Sequence, residues 1–293
     1  MTKLKLALLL SITLFVACSK DSDQPSTGNG NEGGYEAPVS GKKGADFSTN
    51  TTNGTWYNNI VKLKSHWFYT WGTTMPAKTI PQPCEFVPMF WGKGNMTTAL
   101  IDSVKRMKAA GTAKYVLGFN EPDLADQSNM TVQEALNFWP QLESIGLPLG
   151  SPATAWPESD WLYEFLDKAI QQKRRVDFIC VHMYVGTDDV HFVGVLQKLY
   201  EKYHLPIWIT EFATVDHNAT TIEGNHFTPA QVQEFMQRLL PKLEALPFVH
   251  RYSWFSGSPT STRLWPSALV DAKGDLTALG QWYADYKPNT QVK

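Results

Sequence analysis

From residue 41 onward, short apolar runs alternate with stretches whose apolar residues recur every three or four positions. The runs fall at 44–47, 67–71, 85–91, 115–120, 148–153, 177–184, 207–211 and 251–255. They are nearly continuous in hydrophobicity, the pattern of strands covered on both faces. Helical stripes lie between them. Leu100, Val104 and Met107 share a face ahead of Gly111, and Thr131 with Glu134 forms a capping-box pattern before Leu136, Trp139 and Leu142. Further stripes are Trp161, Leu162, Phe165, Leu166 and Ala169, then Val193, Leu196, Leu199 and Tyr200. Thr228, Pro229 and Gln231 open another carrying Val232, Phe235, Met236 and Leu239, and a last helix is predicted over 276–286. Eight runs with interleaved helices in about 250 residues predict an α/β chain folded as a single (β/α)8 TIM barrel over 41–293. A doubly wound open sheet is the alternative, but there is no glycine-rich phosphate loop to suggest a nucleotide-binding version.

Two of the runs end on a charge. Tyr115, Val116 and Leu117 lead into Gly118-Phe119-Asn120-Glu121-Pro122-Asp123, and Pro122, lacking an N–H, stops the ladder. Ninety residues later, Pro206-Ile207-Trp208-Ile209-Thr210 ends on Glu211. A carboxylate there is costly to desolvate and does nothing for packing. Strand ends converge on one face of a barrel, so Glu121 and Glu211, closing the fourth and seventh runs, are expected to meet. Two facing carboxylates suit glycoside hydrolysis, one giving a proton to the leaving oxygen and the other attacking the anomeric carbon. A helix-start or salt-bridge role would account for one such glutamate, but not for two placed alike.

Composition changes the picture little. The net charge of −2 favours neither nucleic acid nor a strongly charged substrate. The 11 Trp, 11 Tyr and 15 Phe supply flat faces for sugar rings as well as core volume. Cys18, Cys84 and Cys180 form no metal-type cluster, and Cys84 and Cys180 read as two buried, unpaired thiols. No metal or cofactor is expected; Asp216, His217 and His226, in the long polar loop 212–227, do not have a recognised ligand spacing.

Lys3 and Lys5 precede an 11-residue mostly apolar run, Leu6 to Val16, which reads as an export signal and is too short for an ordinary membrane span. Ala17-Cys18 at its end resembles a bacterial lipobox, although Phe15 stands where a leucine is usual. The expected organisation is a lipoprotein-type signal peptide over 1–17, a flexible tether over 18–40 beginning with a lipidated Cys18, and the barrel. The implied location is the bacterial cell envelope, lipid-anchored at the membrane and exposed at the surface. A monomer is the default.

The motifs resemble a known group. Asn120 and Glu121 on the fourth run with Glu211 on the seventh resemble clan A glycoside hydrolases, which are retaining barrel enzymes. Within that clan, Leu117 to Asp123, Cys180-Val181-His182-Met183-Tyr184 and Trp208 to Ala213 are similar to glycoside hydrolase family 128. The resemblance spans 41 to about 286. It implies a retaining, endo-acting β-1,3-glucanase, with Glu121 as acid/base, Glu211 as nucleophile and Asn120 on the sugar 2-hydroxyl. The alternatives are a clan A hydrolase for another β-glycan and a non-catalytic surface glycan-binding barrel. Alternation puts Phe178, Cys180, His182 and Tyr184 on one side, so His182 and Tyr184 are site candidates, Tyr184 toward Glu211. The same rule groups Ile207, Ile209 and Glu211, sends Trp208 outward under the helices, and requires a bulge or twist if Asn120 is to assist Glu121. Trp71, Trp91, Trp156 and Trp254 are the expected sugar platforms.

Overall fold

Six short parallel strands form one sheet in the order β3-β2-β1-β6-β5-β4. They are β1 (Lys43–Asp46), β2 (Trp67–Tyr69), β3 (Glu85–Phe86), β4 (Ile179–Val185), β5 (Ile207–Thr214) and β6 (Val249–Trp254). The computed structural model describes residues 35–48, 56–74 and 83–292, all within the unit Gly33–Lys293. The signal peptide and Cys18 lie outside the described residues.

Two extended segments, 115–120 and 148–153, close the sheet into a ring. Leu117 N–H donates to Pro88 O at 2.9 Å and Phe90 N–H to Leu117 O at 3.1 Å. Gly150 N–H donates to Val116 O, and Ser151 N–H to Phe178 O, both at 2.9 Å. The expected eight staves are therefore all in place, the fourth and fifth joined through isolated bridges rather than continuous ladders. Pro88, Pro148 and Pro152 lie along these joins, and proline has no N–H to extend a ladder.

Among the described residues seven helices surround the ring: α1 (Trp56–Lys62), α2 (Thr98–Ala109), α3 (Val132–Glu143), α4 (Asp160–Gln171), α5 (Asp189–Tyr203), α6 (Pro229–Ala245) and α7 (Ala278–Asp285). Capping boxes at Thr131 with Glu134 and at Thr228 with Gln231 start α3 and α6, as their spacing predicts. Helix α1 carried no signal strong enough to be expected. Outward side chains such as Val181, Ile209 and Phe212 pack under the helices. A second cluster fills the barrel lumen: Trp67, Tyr69, Tyr115, Leu117, Phe178, Cys180 and Trp208. Trp208 thus points inward, against expectation, stacked on Phe178 at 4.2 Å between ring centroids. Alternation had been carried unbroken from Trp208 to Glu211, whereas β5 contains a bulge between them. Arg251, fully buried, lies over the Trp208 ring at 4.4 Å and pairs with Glu85 at 2.9 Å. Cys84 and Cys180 are buried free thiols.

Among the residues assigned to the tether, Tyr35 is held against the barrel. Tyr35 stacks on His250 and accepts a hydrogen bond from Trp208 Nε1 at 3.2 Å; Tyr115 hydroxyl donates to Glu36 O at 2.9 Å. Polar composition concealed one aromatic that fills the lumen's floor, so the packed chain begins earlier than residue 41.

The fourth stave switches faces midway. Leu117 belongs to the lumen and Phe119, two residues on, to the helix-facing layer, edge-on to Trp139. Gly118 stands at the switch because a Cβ there would lie 2.9 Å from Gly150 O on the next stave. Backbone cannot move aside as a side chain can. Gly118→Ala should cost about 1–3 kcal/mol, read as a lower urea midpoint with unchanged m-value. A wild-type midpoint would remove close backbone approach as the reason for the glycine.

Candidate active site

The bulge in β5 places Glu211. Ile209 pairs with Val181 and Glu211 with the next residue of β4, His182, leaving Thr210 as the extra residue. That one-residue slip turns Glu211 into the mouth and Phe212 out to the helices. Glu121 reaches the same place by another device. Its φ is +40°, a left-handed conformation rare for a residue with a side chain, fixed by an N–H bond to Ala153 O at 2.7 Å and followed by Pro122. Trp71, at the end of the second stave, has φ +54°. Such positions hold about 1–3 kcal/mol of strain each and persist where the surroundings over-determine them.

The carboxylate of Glu211 is 5% exposed and surrounded by donors. Its Oε1 accepts from Trp71 Nε1 at 2.8 Å and Tyr69 hydroxyl at 3.0 Å; its Oε2 accepts from Tyr184 hydroxyl at 2.5 Å. His182, with no exposed surface, stands between the two glutamates. Its Nδ1 is 3.0 Å from Glu121 Oε1 and its Nε2 is 3.3 Å from Glu211 Oε1. The three groups lie within 4.8 Å of one another. The imidazole itself occupies the place a cation would take, and Oε1 of Glu211 already receives two protein hydrogens, so the set reads as a hydrogen-bonded array more than a metal cage.

Burial alone would depress the His182 pKa; the charge of Glu211, then the hydrogen bond and charge of Glu121, outweigh it and raise the pKa above its ordinary value. Burial, then the charge of Glu211, pushes both Tyr69 and Tyr184 well above the usual phenol range, so they remain donors. Asp46, at the end of β1, is enclosed with Ser253 Oγ donating to its Oδ2 at 2.9 Å. Burial, then the Glu211 charge, lifts its carboxyl well above the usual range.

A family model described as "Glycosyl hydrolase catalytic core" matches residues 44–283. This chain belongs to that glycosyl hydrolase family. Alkali-sensitive linkage protein 1 of Schizosaccharomyces pombe is 30% identical over 258 residues, a match taking in 84% of this chain and 44% of the relative, so the chain spans less than half of that protein's length. Among solved structures, a subgroup I endo-β-1,3-glucanase of glycoside hydrolase family 128 from Amycolatopsis mediterranei, in complex with laminaritriose, is 35% identical with TM-score 0.71, covering 83% of this chain and 98% of that one. A subgroup II endo-β-1,3-glucanase of the same family from Sorangium cellulosum is 26% identical with TM-score 0.66, again covering 83% and 98%. The likeness to family 128 inferred from the motifs is borne out.

Within this glycosyl hydrolase, Glu121, Glu211, His182, Tyr184 and Trp71 come together. His182 is enclosed by the carboxylates and has no surface for a sugar, so its assignment as a substrate contact is corrected to a contact with both glutamates. Trp254 is also corrected: it is 1% exposed, edge-on to Phe212 in the helix-facing core, with its indole N–H bonded to Ser267 O at 2.9 Å. The outward phase of β6 that puts Arg251 and Ser253 inside puts Trp254 outside. Trp91 and Trp156 are half-buried, Trp156 stacked on His191. Asn120 is buried and donates from Nδ2 to Gln127 Oε1 at 3.3 Å, while its Oδ1 has no partner among the described residues. With Phe119 among the helices, Asn120 takes the inner phase, the departure from regular alternation that its role requires. Tyr69, Asp46 and Phe255 were missed. Tyr69 shares a face with Trp71 by simple alternation, Phe255 is edge-on to Tyr184 and Trp71, and Asp46 is a third carboxyl at a strand end.

The raised folded-state pKa of Asp46 fixes a sign. The group binds its proton more tightly folded than unfolded, so its contribution is fully present below the unfolded value, roughly pH 4, and is lost as pH rises through the folded value. Asp46→Asn is uncharged throughout and escapes that loss. Its melting temperature relative to wild type should climb between pH 4 and pH 8. A difference that is flat or falls with pH would mean that Asp46 is ionised in the folded protein.

Proposed function

We propose that this glycosyl hydrolase is an endo-acting β-1,3-glucanase working with retention of configuration. The observation that carries the reading is the pairing of Glu121 and Glu211 across the mouth with their nearest oxygens within 4.8 Å. Retaining enzymes hold their two carboxyl groups about 5–5.5 Å apart, whereas inverting enzymes leave about 6.5–9.5 Å for a water. Glu211, oriented by Tyr69, Trp71 and Tyr184, attacks C1 while Glu121 gives its proton to the departing glycosidic oxygen. The C1–O bond breaks, an ester to Glu211 forms, and the shortened glucan leaves as an alcohol. Glu121, now a carboxylate, takes a proton from water; the water oxygen bonds to C1, and Glu211 departs as carboxylate. Asn120, beside Glu121, is the proposed partner of the sugar 2-hydroxyl, and Trp71, Trp91 and Trp156 are the remaining platform candidates.

Support for β-1,3-glucan as substrate comes from the laminaritriose-bound neighbour and from the shared motifs. The Cys18 lipid anchor and envelope location are part of the same proposal. No helix among the described residues is long and apolar enough to cross a membrane. Cys18→Ser should then release the protein from the membrane fraction, and retention there would refute the anchor.

Incubation with laminarin, curdlan, lichenan and cellulose, followed by product analysis, tests the function. Oligosaccharides of several lengths should appear first from the β-1,3-linked glucans. Release only from the others would transfer the protein to another β-glycan, and binding without products would make it a capture protein. Glu211→Ala should lower kcat by about three orders of magnitude or more, about 4 kcal/mol of barrier, with partial rescue by azide. Near-wild-type turnover would remove Glu211 as nucleophile.

A further inference from the structure

Each nitrogen of the His182 ring faces a different catalytic carboxyl. Nδ1 is hydrogen-bonded to Glu121 Oε1 at 3.0 Å. Nε2 is 3.3 Å from Glu211 Oε1, an ion-pair contact without hydrogen-bond angles, and has no other partner among the described residues. The ring is sealed from solvent. A hydrogen on Nδ1 can be donated to Glu121 Oε1, and a hydrogen on Nε2 sets positive charge beside the Glu211 carboxylate, so the placement suits an imidazolium.

We infer that His182 is a positioning residue that remains an imidazolium throughout the double displacement, with the negative charge alternating from its Nε2 side to its Nδ1 side. The inference rests on the retaining reading above. In the free enzyme Glu121 is a neutral acid, His182 a cation and Glu211 an anion. In the glycosyl-enzyme Glu121 is the anion, His182 is unchanged and Glu211 is a neutral ester. The three groups sum to zero in both states, so the buried array never carries net charge through the step. No proton leaves His182 in either half-reaction.

The imidazolium also fixes where the acid's proton sits. Glu121 Oε1 accepts from Nδ1–H, so the proton Glu121 donates must reside on Oε2, directed away from the ring and available to the glycosidic oxygen. With a neutral imidazole, that proton would be drawn to Oε1 and held against Nδ1, out of use. The charged groups facing this array are few. Asp123 adds a weaker negative charge from the loop after Glu121. From β2 and β4, Tyr69 and Tyr184 face Glu211 as phenols held well above their usual range, and from β1 Asp46 faces it with its carboxyl raised by burial and by the Glu211 charge.

Nitrogen NMR on the full chain with labelled histidine reads this directly, His182 being assigned by the signals missing in His182→Gln. Both ring nitrogens of His182 should be protonated at pH 7 in the free protein, and again after a 2-fluoro glycoside has trapped the ester on Glu211. A neutral ring in either state, in protein that still cleaves β-1,3-glucan, overturns the inference and leaves the enzyme reading standing. No turnover of any β-glucan, with the imidazolium present, overturns the enzyme reading and the alternation with it. In His182→Gln each carboxyl loses its adjacent cation, so both limbs of the kcat/KM pH profile should move up by about one unit or more. A uniform loss of activity with both limbs unmoved shows a merely structural histidine. Should the Gln variant not fold, the NMR result on wild type, assigned through His182→Asn, decides alone.

Discussion

A carboxylate at the mouth of a barrel, almost out of contact with water, is the constraint that the rest of this site answers. Desolvating an unpaired carboxylate costs several kcal/mol, enough to consume much of a domain's stability. Glu211 is tolerated because donors from the staves reach it: Tyr69 and Trp71 on the second, His182 and Tyr184 on the sixth. None of these donors is interchangeable with an apolar side chain of the same size. Removing one would leave Glu211 under-solvated, and removing Glu211 would leave three or four buried donors pointing at nothing. The aromatic character of the mouth follows in part from this requirement, because Tyr and Trp combine a large apolar body with one hydrogen-bond donor at the rim.

Regular strands do not deliver these side chains to one point. A bulge at Thr210 turns Glu211 inward, a left-handed residue aims Glu121, and a second aims Trp71. Each departure is locally unfavourable and is held by packing on both sides of the sheet: helices outside, a plug of Trp67, Phe178 and Trp208 inside. The strain at Glu121 and Trp71 therefore lies at the C-terminal ends of the staves, where catalytic groups of barrels lie.

The same contrast explains what could be read from the sequence. The eight staves, the caps at Thr131 and Thr228, the shared face of His182 and Tyr184, and the two glutamates all follow from periodicity or from a charge out of place. Trp208, Trp254 and the packing of Tyr35 against the barrel did not. Trp208 was misplaced by one extra residue in β5, which no periodicity reveals because the bulge is set by pairing with β4 and β6. Trp254 was judged by its position at a strand end, when the inward phase of that stave belongs to Arg251 and Ser253. Tyr35 sits in a polar stretch, and a single aromatic has no pattern to detect. Asp46 was legible by the argument that found Glu121 and Glu211, and was overlooked because it begins the barrel instead of following a long apolar run.

Two buried cations divide the lumen between them, and their chemistry differs for a physical reason. Arg251 lies on the floor, against Trp67, Tyr115 and Trp208, paired with Glu85. A guanidinium is a planar, weakly hydrated cation, so it can be enclosed by aromatic faces and serve as permanent structure. In the proposed cycle His182, at the mouth, keeps its charge through whichever of the two glutamates is ionised, against the desolvation that would strip its proton. A cation whose charge depends on its partners is suited to the place where one partner becomes a neutral ester and the other becomes an anion. An apolar residue there would leave whichever glutamate is ionised facing its partner without compensation. The imidazolium supplies that charge, and its two nitrogens span the gap between the two carboxyl groups.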